Sequence, residues 1–418
     1  MTAASGEREL EAGEKRAVAL LGVPTMALAL AATLVTTYLP VVAKDFGGST
    51  GVIGVVIGIE GLLALWLPLV AGSLSDRLRT RLGGRLPFLL GATPLVALGL
   101  VAMGLVGSMG TLAVASFVFF VGYFVAYEPY RALYPDLISD AAAGRAQGTQ
   151  ALWRGAGTGV ALLAGGLLLG LGQAVPFVAV AVVYVLAIIA FVAVLARRGV
   201  PDRDEGGEGG SLREAFRAVW DLVRDHGVLR AFLVANALWE LSLGALKTFV
   251  VLYVTQGLGY SRSTASLFIG GVAVLILFAA LAGGKLADRF GRTNVLRVAL
   301  PVYGAGLIVP FLVTSPWIIA CAVPFIAVGG GVLMALPFAI LQPLMPEGRH
   351  GALTGYYSLS RGLGTWLGPL AAGLAITALA GPFSSTKGYQ AVWGVCAAAA
   401  LLSLLPLRRL HAEEQSRE

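Results

Sequence analysis

The sequence predicts an all-α membrane protein of twelve transmembrane helices, arranged as two pseudo-symmetric six-helix bundles. Three observations predict it. Of 418 residues, 57% are hydrophobic and 13% are charged, against roughly 25% charged in a soluble domain. Apolar runs of about 20 residues, long enough to cross a bilayer as helices, recur along nearly the whole chain. Two short loop motifs occur twice, at matching places in the two halves.

The runs lack the strand alternation of a barrel, and lipid leaves helices as the remaining solution for the backbone. Spans are expected near 17–39, 51–73, 87–106, 111–134, 151–171, 175–196, 229–254, 264–286, 294–314, 317–341, 352–379 and 390–407. The mean hydropathy of +0.82 fits that content. The 56 glycines fit helices that must approach closely in a medium offering no hydrophobic drive between them. Residues 1–16 are polar, and the first apolar run is of full span length, so no cleavable signal peptide is expected.

Charge gives the orientation. Arg77, Arg79, Arg81, Arg85, Arg145, Arg197, Arg198, Arg289, Arg292 and Arg349 fall in one set of loops. The opposite loops carry Lys44, Arg262 and Lys387. The positive-inside rule then makes both termini cytoplasmic and the span count even, as in a multi-pass protein of a bacterial inner membrane. The net charge of +7 is accounted for by these loops, so nucleic acid is not expected as a partner. Cys321 and Cys396 stand alone in apolar runs, and His226, His350 and His411 lie in or beside loops. Neither a disulfide framework, a metal site nor a cofactor is expected.

The domain division follows: an N-terminal segment 1–16, a bundle 17–196, a linker 197–228, a second bundle 229–407 and a tail 408–418. The linker opens with the polar run PDRDEGGEGG. A short amphipathic helix is expected after it. Ser211 and Glu214 have capping-box spacing, and Leu212, Ala215, Phe216, Val219 and Val223 share one face. Such a helix suits the cytoplasmic membrane surface.

Residues 72–77 read G-S-L-S-D-R and residues 284–289 read G-K-L-A-D-R. Residues 148–158 read G-T-Q-A-L-W-R-G-A-G-T and residues 355–365 read G-Y-Y-S-L-S-R-G-L-G-T. The second pair matches Arg154 with Arg361 and Gly157 with Gly364. Repeated six-span halves are a transporter architecture, with the binding site between the halves near mid-membrane.

The G-x-L-[SA]-D-R loops resemble the signature loop of the major facilitator superfamily. The resemblance implies cytoplasmic gates at Asp76, Arg77, Asp288 and Arg289, and it implies rocking of the halves about a central site. Residues 76–90, DRLRTRLGGRLPFLL, and residues 129–137, PYRALYPDL, are similar to the glycoside–pentoside–hexuronide and sucrose–proton symporters. That narrower likeness implies a sugar substrate and a role for Arg131 in substrate binding or proton coupling. The sodium-coupled members carry paired aspartates in the second span, where this chain has the single Glu60, which argues against sodium coupling.

A charge at the bilayer centre costs about 2.5–3.5 kcal/mol, so each should face a cavity or a partner. Those expected inside are Glu60, Glu128, Arg131, Arg154, Glu240, Lys247 and Arg361. Glu128 and Arg131 share a helical face. Asn236, Glu240 and Lys247 lie at i, i+4 and i+11 with Trp239 beside them, a mixture suited to a polyhydroxylated ligand. Glu60 has no basic neighbour on its own helix and is the expected proton site, with Glu128 and Glu240 as rivals. Arg154 and Arg361 are expected as struts between helices, toward Asp136 and Glu347, and count with the gates. Gln342, Tyr356 and Tyr357 could line the cytoplasmic mouth.

The expected function is proton-coupled symport of a small solute, a sugar or glycoside, by a monomer in the lipid bilayer. The alternative is a proton-driven exporter of drugs or metabolites, kept open by Trp66, Trp153, Trp239 and Trp366. No nucleophile–base pair or phosphate loop points to an enzyme.

Overall fold

A computed structural model describes residues 12–78, 80, 82–138, 143–198, 212–344 and 353–415. Among these residues there are helices and no strands. The first half contains α1 (Ala12–Asp45), α2 (Thr50–Ala64), α3 (Leu67–Arg77), α4 (Leu86–Leu105), α5 (Met109–Leu137), α6 (Ala143–Leu171) and α7 (Ala174–Arg198). A connecting helix follows, α8 (Leu212–Asp225). The second half begins with α9 (Gly227–Leu252), α10 (Arg262–Phe290), α11 (Arg292–Leu312) and α12 (Pro316–Ala335). It ends with α13 (Pro337–Leu344), α14 (Leu353–Ala378), α15 (Ala391–Leu402) and α16 (Leu404–Gln415).

Three spans are broken in two, each for a local reason. The α2–α3 break falls at Leu65 and Trp66, just before Pro68, whose ring cannot sit inside a continuous helix. Pro337 ends α12 in the same way. Between α15 and α16, the Ser403 hydroxyl donates back to the Ala400 carbonyl at 2.6 Å. Joining these pieces gives twelve spans. Eleven helical stretches among the described residues are long and apolar enough to cross a membrane. The twelfth, α14, is less apolar because it carries Tyr356, Tyr357, Ser358, Arg361 and Thr365.

Several helices outrun the hydrophobic runs that announce them. Helix α1 covers 34 residues, not the 17–39 expected, and the seventh span runs on from Leu252 through a π turn to Gly257. A helix ends where its backbone hydrogen bonds end, not where the side chains turn polar. The linker helix is present over Leu212–Asp225, with Trp220 exposed; Ser211, its expected cap, lies outside the described residues.

The repeat is structural. In the first half α6 lies along α1, and in the second half α14 lies along α9. Gly157 and Gly364, matched in the repeat, make the same closest approach. A Cβ at Gly157 would stand 2.3 Å from the Met26 carbonyl oxygen of α1, and one at Gly364 would stand 2.3 Å from the Ala237 carbonyl oxygen of α9. Only a hydrogen fits either place.

The halves meet along α2–α14, α6–α10 and α1–α9. Thr50 donates to the Gly373 carbonyl at 3.1 Å and meets the Thr377 hydroxyl at 2.8 Å. Tyr38 meets Ser266 at 2.6 Å, and Arg262 grips Asp45 at 2.6 Å. Gly54 and Gly61 let α14 come within backbone contact of α2 at Pro369 and Trp366. These joints run from the Asp45 end of the bundle toward its middle, so that end is closed. At the other end, the Glu414 carboxylate of α16 accepts from the Arg292 and Thr293 amides at 3.1 and 3.0 Å, capping α11. His411 Nδ1 meets the same threonine hydroxyl at 2.9 Å.

Gly54→Val should force the α2–α14 joint apart, since an added Cβ would stand 2.3 Å from the Pro369 carbonyl oxygen. The thermal midpoint in detergent should fall, by a destabilisation of about 1–3 kcal/mol. A cysteine at the buried Thr50, in a Cys321→Ser background, should then be alkylated faster; unchanged labelling would contradict a closed Asp45 end. Glu414→Ala should destabilise by about 1–2 kcal/mol through the lost cap, and Glu414→Gln by less, as read by thermal unfolding.

Candidate functional site

A cleft opens between the halves where the α2–α14 joint stops. It is lined by Glu60, Ala64 and Pro68 of α2 and α3, by Tyr123, Phe124, Tyr127, Glu128 and Arg131 of α5, and by Tyr357, Ser358, Arg361 and Thr365 of α14. Both halves therefore contribute to it. It is open to solvent, with the Arg361 side chain half-exposed.

The α5 wall follows from helical spacing. Tyr123, Tyr127 and Arg131 recur every four residues and form one stripe. The rings of Tyr123 and Tyr127 stack with centroids 5.3 Å apart. The Arg131 guanidinium lies over Tyr127, 5.6 Å from the ring centre, a cation–π contact. Glu128 Oε2 lies 3.8 Å from Arg131 Nη1. Opposite, Arg361 Nε of α14 lies 3.6 Å from Glu240 Oε1 of α9. Tyr357 stands edge-on to Phe338, with centroids 5.4 Å apart.

Glu60 is different from the other two acids. Among the described residues it has no ion pair and no hydrogen bond, while its charge acts on Tyr123 and on Glu240 across the cleft. It is a carboxylate without a fixed partner, facing a narrow polar space.

The expected site residues separate into three groups. Glu60, Glu128, Arg131 and Arg361 line the cleft, and Glu240 reaches it through Arg361. Lys247 is exposed, and its charge acts on Glu240. Arg154 is exposed on α6 and is not part of the cleft lining. Asn236 and Trp239, in contrast, face the core of the second half and are absent from the cleft lining. Asn236 Nδ2 donates to Ser360 Oγ at 2.8 Å, and Trp239 Nε1 donates to Ser403 Oγ at 2.8 Å. Both are fully buried. Their spacing from Glu240 suggested one polar face, but α14, α15 and α16 wrap that side of α9.

Arg361 links α14 to α9. It turns into the cleft and takes Glu240 as its partner, while Glu347 and the Asp136 side chain lie outside the described residues. Asp76 lies at the end of α3, half-exposed, 3.8 Å from the buried Arg85, with Arg77 exposed beside it. Asp288 and Arg289 are exposed at the end of α10, beside the Glu414 cap. Tyr356 is buried and bonds the Leu229 carbonyl, whereas Tyr357 lines the cleft; Gln342 is exposed. Sequence reasoning missed Tyr123 and Tyr127. Their four-residue spacing ahead of Arg131 was the available signal.

Comparison with solved structures returns the same architecture. A bacterial homologue of the human lysosomal transporter Spinster, inward-facing and occupied, superposes with a TM-score of 0.78 at 16% identity, covering 97% of each chain. The nucleoside transporter NupG gives 0.76 at 12% identity, covering 94% of this chain and 98% of its own. A D-xylose–proton symporter gives 0.70 at 15% identity, covering 93% and 96%. Residues 30–385 match the MFS_1-like family. The chain is thus a multi-pass membrane protein with the major facilitator fold, and it belongs to the MFS_1-like family.

Proposed function

We propose that this protein is a secondary transporter that moves a small polar solute, a sugar or glycoside, together with a proton. The observation that carries the reading is the cleft itself. It lies on the joint between two repeated halves, and residues of both halves line it, with one unpartnered carboxylate among them.

The mechanism follows from the charges. With the Asp45 end closed, the cleft is reached from the Asp76 end, which the arginine-rich loops assign to the cytoplasm. Glu60 takes a proton when the halves close around it, because a carboxylate leaving water without a partner favours its neutral form. Neutralised, it no longer resists reorientation through the low-dielectric middle of the protein. The solute lies against Tyr123, Tyr127 and Tyr357, with hydroxyls bonded to Glu128, Arg131 and Arg361. Asp76, Arg77, Asp288 and Arg289 stabilise the closed cytoplasmic side in the alternate state. Arg154, flanking α6, acts as a positioning residue for that wall. We divide the halves at 17–196 and 229–407, with α8 lying along the cytoplasmic surface between them.

The sugar reading rests on residues 76–90 and 129–137, which resemble sugar–proton symporters. A fold shared with a D-xylose–proton symporter is compatible with it. An exporter of lipophilic solutes is the second reading, favoured by the aromatic α5 stripe.

In proteoliposomes, an inward proton gradient should drive accumulation of a labelled glycoside. Glu60→Gln should abolish uphill uptake, by more than about 100-fold in rate, while leaving solute exchange intact. Expulsion of lipophilic cations with no uptake across a broad sugar panel would favour the exporter instead.

A further inference from the structure

The two ion pairs of the cleft present their charges unequally. Arg131 is 32% exposed and its Glu128 partner 10%; Arg361 is 48% exposed and its Glu240 partner 19%. In both pairs the carboxylate stands behind and the guanidinium in front. The separations of 3.8 and 3.6 Å exceed the roughly 2.7–2.9 Å of a charge-assisted hydrogen bond. Among the described residues neither guanidinium donates a hydrogen bond to a protein group. Both guanidiniums line the same space, each with N–H donors that no protein acceptor takes up. A planar fork left unspent in such a place matches a planar or tetrahedral oxyanion.

Arg131 and Arg361 come from opposite halves and both line the cleft, so one oxyanion between them would meet two guanidiniums.

We propose that the substrate is an organic anion, whose carboxylate or phosphate bridges Arg131 of one half and Arg361 of the other. Its hydroxylated body lies on the tyrosine rings. The inference rests on the reading of this cleft as the transport site and narrows its solute to a sugar acid or sugar phosphate. The bridge also explains which solute permits closure: only an oxyanion draws together two guanidiniums that otherwise repel. A proton moving with a monoanion carries no net charge, whereas a proton moving with a neutral sugar carries one.

The test uses the full-length protein with three probes: a hexuronate, a hexose 6-phosphate and the matching neutral hexose. Binding is read by thermal shift in detergent, and transport by label uptake and by current across a supported membrane. One or both anions should bind and be taken up, and the neutral hexose should bind at least about tenfold more weakly. The anion that works identifies the carboxylate or the phosphate, and hexuronate uptake should pass little current. Arg361→Lys and Arg131→Lys keep the charge and lose the fork. Each should weaken anion binding by about 10- to 100-fold without lowering the unliganded unfolding temperature. Equal or tighter binding of the neutral hexose, unchanged by either variant, overturns the anion inference and leaves sugar transport standing. Failure of all three probes, with expulsion of lipophilic cations, removes the symport reading and this inference with it.

Discussion

Hydrocarbon offers no hydrogen bond, and most of this structure follows from that constraint. Many polar side chains carried into the membrane find a partner on a neighbouring helix. Asn236 reaches Ser360, Trp239 reaches Ser403, and Ser242 meets Tyr303 and the Cys396 carbonyl. Thr25 ties α1 to Tyr130 and Tyr134 of α5. Such bonds demand short distances between axes, and the glycines at the crossings allow them. The helices are thereby tied into two blocks.

The joint between the blocks is built differently at its two ends. Toward Asp45 it is close and glycine-lined, with the Arg262–Asp45 ion pair at its rim. Toward Asp76 it opens into a cleft whose charged groups sit too far apart to hydrogen-bond. A rocking protein needs this contrast. A joint satisfied at both ends would have no reason to move, and one loose at both would leak. The incomplete pairing of Arg131 and Arg361 is therefore the natural place for a solute to supply what the protein leaves unmade.

The framework was legible in the sequence because it is written in residue types with single uses. Long apolar runs specify spans, and the doubled loops specify the two halves. Even the α6–α1 and α14–α9 contacts were implicit in Gly157 and Gly364. The breaks at Pro68 and Pro337 follow from proline, though their neighbours read as continuous spans. What was less legible depends on azimuth. Trp239 and Glu240 are adjacent in sequence and point to different worlds, one to Ser403 and one to the cleft, because a helix turns about 100° per residue. Nothing in α9 alone says which side its neighbours cover. The Glu414 cap was hidden for the opposite reason, since its partners lie more than a hundred residues upstream.

The repeat also separates scaffold from chemistry. Positions that pack helices within a half, or that sit in the signature loops, are duplicated, as with Gly157 and Gly364, or Asp76 and Asp288. Of the positions that carry charge into the cleft, Glu60 and Glu240 are not. In the register set by the two signature loops, Glu60 corresponds to Val272. In the register set by Met26 and Ala237, which receive the matched glycines, Glu240 corresponds to Ala29. Arg154 and Arg361 are matched, yet only Arg361 has an acid waiting on the neighbouring helix. A charge kept only for packing would be as useful in one half as in the other. Charges that occur once, meeting on the joint between two halves that otherwise mirror each other, are what the proposed transport role asks for and the fold does not.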